Sequence, residues 1–145
     1  MRVIVTGGAG FIGSHVVNAL VARGDEVHVL DNLATGSREN VNATATFHEG
    51  DIRTDAPALF DRVQPELCVH LAAQADVNTS VHRPDYDAEV NVLGTVRILE
   101  AARSYGAQIV FSSTGGAIYG ECTAPATELA PRQPLSPYGV AKLAA

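Results

Sequence analysis

A short β-branched run, Arg2-Val3-Ile4-Val5-Thr6, breaks off into Gly7-Gly8, and apolar residues then recur at Ile12, Val16, Ala19 and Leu20 with helical spacing. The pattern is strand, tight turn, helix. Across that turn Gly8-Ala9-Gly10-Phe11-Ile12-Gly13 satisfies GxGxxG, and a second β run, Glu26 to Asp31, ends in a carboxylate about 20 residues further on. Gly24 closes the helix, and a right-handed crossover lays the second strand parallel to the first, so a βαβ unit is complete by Asp31. Glycines let such a loop turn tightly and approach a pyrophosphate, while the first helical N–H groups and the positive dipole end attract its charge. Gly13 admits close helix packing. Ser14-His15 follow it, so the lysine of a triphosphate-binding P-loop is missing.

The alternation continues. Ala45 to His48 reads as a third, weaker strand, Thr54 to Arg62 as a short helix and Leu67 to Ala72 as a run apolar enough to lie centrally in a sheet. Pro84 opens a helix to Tyr105 with Val92, Val96 and Leu99 on one face and Leu93 beside them; Gly106 stops it. Gln108 to Ser112 is the fifth strand. A Gly, Pro and Thr-rich stretch from Gly115 to Pro134 reads as a long functional loop, and Ser136-Pro137 start a last helix. The expected fold is α/β, a doubly wound parallel sheet of the Rossmann type, with residues 1–145 forming one dinucleotide-binding domain.

Composition narrows the partners. A net charge of −6 without any block of Lys or Arg argues against nucleic acid. The apolar stretch Val3 to Ala22 is interrupted by glycines and polar residues and lacks a basic leader, which excludes a membrane span and leaves the cytoplasm as the expected location. Cys68 and Cys122 stand far apart and form no CxxC pair. His15, His28, His48, His70 and His82 show no metal-ligand spacing, so they read as structural and no metal site is expected.

Chemistry concentrates in a few residues. Asp31 is placed to accept hydrogen bonds from the adenosine ribose, and its charge would repel a 2′-phosphate, which favours NAD over NADP; Arg38 argues weakly the other way. Asp51-Ile52, beyond the third strand, suit either an adenine contact or an ordinary turn. Tyr138 and Lys142 lie one helical turn apart and project from one face, where an ammonium would shift a phenol toward acid/base work. Ser112, Ser113 and Thr114 end the fifth strand at the carboxyl edge where such sheets bind ligands, and any of these hydroxyls suits a reacting oxygen.

Taken together the chain resembles the extended short-chain dehydrogenases/reductases, and within them the nucleotide-sugar epimerases. The resemblance rests on Thr6 to Gly13, Asp31-Asn32-Leu33, Gly50-Asp51-Ile52, His70-Leu71-Ala72-Ala73, Asn91-Val92-Leu93-Gly94-Thr95, Ser112-Ser113-Thr114, Tyr119-Gly120 and Ser136 to Lys142. It implies that Gly7, Gly10, Phe11, Ile12 and Gly13 hold the pyrophosphate of NAD. Asp31, Asn32 and Leu33 would bind the adenosine, Asp51 and Ile52 the adenine, and Leu71, Ala72, Ala73, Asn91 and Ser112 would line the cofactor. Tyr138 would be the catalytic base, Lys142 would position the nicotinamide ribose, and Thr114, or Ser113 in its place, would hydrogen-bond the sugar 4-oxygen. The implied reaction is 4-epimerisation of a UDP-sugar by transient oxidation at C4. Sugar dehydratases and decarboxylases of the same family are the alternative, but they usually carry an acid where Gly115-Gly116 stand, and a non-catalytic NAD-binding module is a second. The resemblance further implies that the remaining strands and a substrate domain would follow Ala145. In the family the helix from Pro84 to Tyr105 helps form a homodimer, although core packing explains its apolar face equally well.

Overall fold

The computed structural model describes residues 1–145 and divides into two compact units, Met1–Ala72 with Thr95–Ser112, and Ala73–Gly94 with Ser113–Ala145. In the first, β1 (Arg2–Thr6), β2 (Glu26–Asp31), β3 (Thr46–Glu49), β4 (Leu67–His70) and β5 (Gln108–Phe111) form an all-parallel sheet in the order β3-β2-β1-β4-β5. Strand order reverses beside β1, which is where open α/β sheets bind their ligands. Register pairs Val3 with Val27, Val5 with Val29 and Thr6 with His70.

Because strand side chains alternate faces, Val3, Val5, Val27, Val29 and Val69 build one core layer with Val17 and Leu20 of α1 (Phe11–Ala22). Ile4 and Cys68 are likewise completely buried. Burial pushes the Cys68 thiol up to about 12, so it is a packing residue and not a nucleophile. On α2 (Ala56–Val63) Leu59, Phe60 and Val63 are buried, and Gln64 ends the helix in the left-handed region at φ 47°.

The region read as one helix from Pro84 to Tyr105 is built differently. It comprises α4 (Pro84–Ala88), a π-turn over Glu89–Leu93 and α5 (Gly94–Tyr105). An unanticipated helix, α3 (Val77–His82), precedes it, capped by Asp76, whose Oδ1 accepts from the Thr79 amide at 2.6 Å. The inward face also differs. Ile98, Ala101 and Ala102 are buried, whereas Leu93, Val96 and Leu99 are 57%, 47% and 43% exposed. This helix carries two adjacent apolar stripes, and periodicity does not say which is covered.

β4 stops at His70, two residues short of the apolar run that suggested it, so Leu71 and Ala72 leave the ladder. In the second unit α7 (Pro137–Ala144) packs on α3, α4, the π-turn and α6 (Gly115–Ile118), a short helix inside the stretch read as loop. Ser136 caps α7 by accepting from the Gly139 amide at 3.1 Å, and Pro137 occupies the first turn. Gly139 lets α7 close on α6, since a Cβ there would stand 2.6 Å from the Ala117 carbonyl oxygen. No helix is long and apolar enough to cross a membrane.

Candidate functional site

The candidate residues fall into two groups, one in each unit. In the first, the glycine loop leaves β1 with Gly7 at φ 70°, and a Cβ on Gly7 would lie 2.7 Å from the Ala72 amide nitrogen. A Cβ on Gly13 would collide with Gly7 O and Gly8 Cα, so α1 starts in contact with the loop backbone. The N-cap Gly10 offers no side-chain acceptor, and no acidic residue stands in the first turn. The leading N–H groups of α1 are thus left for an external anion. Phe11 and Ile12 stand 81% and 62% exposed at this end, Phe11 edge-on to His15.

Asp31, 9% exposed at the tip of β2, uses its carboxylate within the fold. Oδ2 accepts from the Ala9 amide and Oδ1 from the Leu33 amide, both at 2.9 Å. Each oxygen keeps lone-pair capacity for a ribose hydroxyl, so clamping the loop and binding a sugar are compatible. Leu33 sits at φ 57°, an unusual backbone for a branched residue and one that no sequence signal announces. Asn32 donates to Asp51 Oδ2 at 3.1 Å, and Arg53 grips the same carboxylate from Nε at 2.9 Å and Nη2 at 2.8 Å. The guanidinium of Arg53 holds Asp51 down to about 2. Ile52 is 5% exposed, and the Ser112 amide donates to the His70 carbonyl.

Beneath the loop runs a buried relay. Thr6 Oγ1 accepts from the amides of Leu71 at 3.2 Å and Ala72 at 3.1 Å, so its own proton goes to His70 Nδ1, 2.7 Å away. His70 therefore carries its proton on Nε2 and donates to Thr95 Oγ1 at 3.1 Å. His70 thus fixes the Leu71–Ala72 backbone that closes over Gly7. The sequence classed it as structural, and its partners Thr6 and Thr95 gave no separate signal.

In the second unit Tyr138 and Lys142 share the buried side of α7, Tyr138 half-buried and Lys142 5% exposed. Thr114, the N-cap position of α6, hydrogen-bonds Tyr138, whereas neighbouring Ser113 is exposed. Burial pushes the Tyr138 phenol up, the Thr114 hydrogen bond opposes it, and the Asp87 charge adds to the upward push. Desolvation is thus the largest influence on the phenol. Burial also lowers Lys142, and Asp87 raises it.

Ala73 opens this unit beside Gln74, which is tied to Asn91. Asn91, 1% exposed within the π-turn, accepts from the Gln74 amide at 3.0 Å and donates to its carbonyl at 2.8 Å and to Asp87 Oδ1 at 3.0 Å. Its amide braces the 73–76 segment rather than facing outward. Asp87 and Gln74 escaped the sequence reading; the i,i+4 spacing of Asp87 and Asn91 was the available clue.

A family model described as "NAD dependent epimerase/dehydratase family" matches residues 3–145. A UDP-glucose 4-epimerase of Mycolicibacterium smegmatis is 45% identical over 152 residues, covering 99% of this chain and 49% of that protein. Among solved structures, UDP-glucose 4-epimerase of Thermus thermophilus in complex with NAD is 53% identical with a TM-score of 0.95, covering 99% of this chain and 48% of that one. The Thermotoga maritima enzyme with UDP-glucose is 47% identical, also with a TM-score of 0.95 and the same coverage. The chain spans about half the length of the relatives it matches.

Proposed function

Because the chain belongs to the NAD-dependent epimerase/dehydratase family, we propose that residues 1–145 are the NAD-holding part of a cytoplasmic nucleotide-sugar 4-epimerase acting on UDP-glucose and UDP-galactose. The observation that carries the proposal is the buried side of α7, where Tyr138 hydrogen-bonds Thr114 and shares a helix face with Lys142.

The glycine loop fits a dinucleotide. Its close backbone contacts at Gly7 and Gly13 admit no side chain, and the start of α1 is uncapped. Gly7, Gly10, Phe11, Ile12 and Gly13 would hold the pyrophosphate, and Asp31 would add ribose hydroxyls to the amides it already binds. Asn32, Leu33, Asp51 and Ile52 would frame the adenosine end; Leu71, Ala72, Ala73, Asn91 and Ser112 would line or brace the remainder. NAD, when bound, supplies a ring that accepts a hydride and gives it back.

The chain's own residues handle the proton. Tyr138 Oη takes it from the hydroxyl on the carbon being oxidised and returns it when that carbon is reduced on its opposite face. Thr114 Oγ1 orients the reacting oxygen and stabilises the phenolate; Lys142 Nζ keeps positive charge beside it. Gly115-Gly116 offer no carboxylate for elimination, which favours epimerisation over dehydration or decarboxylation. The outward row Leu93, Val96 and Leu99 supports a homodimer.

Tyr138→Phe in the intact protein tests the reading. Interconversion of UDP-glucose and UDP-galactose should fall by about a thousandfold or more while NAD stays bound. Near-normal turnover would falsify the assignment.

A further inference from the structure

Asp87 Oδ2 is a buried side-chain oxygen without a hydrogen bond, on a residue 1% exposed. Its other oxygen is fixed, since Oδ1 accepts from Gln74 Nε2 at 2.8 Å and from Asn91 Nδ2 at 3.0 Å. An asparagine at this position would accept the same two bonds, so the local scaffold has no need of the charge. On α7, which packs against α4, Lys142 is 5% exposed. An ammonium and a carboxylate removed from water on two packed helices are each costly alone and compensate one another.

We propose that Asp87 is a positioning residue that supplies the buried counter-charge of Lys142, keeping its ammonium ionised and directed for its work beside Tyr138. The inference rests on the reading of Tyr138 and Lys142 as the proton-handling pair. It gives the bare oxygen a purpose and makes the Gln74–Asn91 brace the device that aims it. The field of Asp87 reaches both residues, raising Lys142 against the effect of burial and adding to the upward push on Tyr138. The other charged groups on the packed elements differ from Asp87 and Lys142 in their exposure. His82 on α3, Arg83 before α4, Asp85 on α4 and Glu89 in the π-turn are exposed, Arg83 lying over the Tyr86 ring at 4.6 Å, and α6 carries none.

The experiment compares Asp87→Asn, Lys142→Met and the double variant in the intact protein. Each single change removes one of two opposite buried charges, so each should lower Tm by about 5–10 °C, and the double variant should lose clearly less than the sum. In Asp87→Asn both limbs of the pH dependence of kcat should move to lower pH, by about one unit on the alkaline side. The ammonium there loses its proton sooner, and the phenol is no longer held up by a negative neighbour. A merely structural role lowers turnover and leaves both limbs in place. Additive Tm losses, or limbs that do not move, overturn the proposal. Normal turnover in Tyr138→Phe would overturn the catalytic reading instead, while the Tm cycle would still report on the pairing.

Discussion

Two buried polar networks, one in each unit, follow opposite rules. Thr6, His70 and Thr95 form a neutral chain in which the two ring nitrogens are matched and the loop amides of Leu71 and Ala72 are satisfied. Gln74, Asn91 and Asp87 form a charged one that ends in a bare carboxylate oxygen, with Lys142 buried on the neighbouring helix. A neutral, closed network can only hold backbone in place. A charged, open one sits at higher energy and is informative about chemistry, because low-dielectric surroundings penalise any charge without a partner. The first network shapes the loop that would carry the dinucleotide, and the second adjusts the groups that would move the proton.

The largest effect expected of a single change is in the loop that the neutral network supports. Gly13→Ala places a Cβ against backbone atoms, Gly8 Cα at 2.7 Å among them, which cannot yield as a flexible side chain would. Stability should fall by more than about 3 kcal/mol, and NAD binding should be lost. Urea unfolding with calorimetric titration checks both, and wild-type affinity would show that the loop has room to spare.

Breaking the neutral network comes next. His70→Leu leaves the Thr6 and Thr95 hydroxyls buried beside an apolar side chain and should destabilise by about 2–3 kcal/mol. The decisive feature is that the pH–rate profile should stay in place, in contrast to Asp87→Asn. A moved limb in His70→Leu would erase the distinction between the two networks.

Thr114→Val sharpens the charged side. Its hydrogen bond holds the phenol down against burial, so its loss raises Tyr138 further. The acid limb of kcat should move to higher pH, with about a tenfold loss of turnover at neutral pH and little change in KM. The same experiment on Ser113, which is exposed, should have no comparable effect.

The smallest effect concerns Asp51, a charged residue that is fully partnered. Its pKa is depressed to about 2, so its contribution to stability is complete above the unfolded value near pH 4 and disappears as the pH falls through about 2. Asp51→Asn should therefore lose about 1 kcal/mol at neutral pH, moderated by solvent, and nothing at the acid end. Thermal melts across the acid range, run on both proteins, should converge.

Much of the first unit was legible in the chain. The β-branched runs of β1 and β2, the glycine loop between them and the carboxylate at Asp31 are local signals, and the sheet forms where they predict it. Legibility fails where two local solutions are nearly equal. Either apolar stripe of α5 could turn inward, and the one that is buried carries Ile98, Ala101 and Ala102. The break of the Pro84–Tyr105 helix at the π-turn has no propensity signature; it accompanies the burial of Asn91 and its bonds to Gln74 and Asp87.

The sequence by itself determined the parallel α/β order, the glycine turn and the one-turn spacing of Tyr138 and Lys142, because each depends on neighbours along the chain. Only the tertiary structure decided which helix face is covered, that Thr114 rather than Ser113 meets Tyr138, and that Asp87 lies buried with one oxygen bare. These depend on desolvation and on partners distant in the chain, and a residue's dielectric surroundings are set by what packs around it.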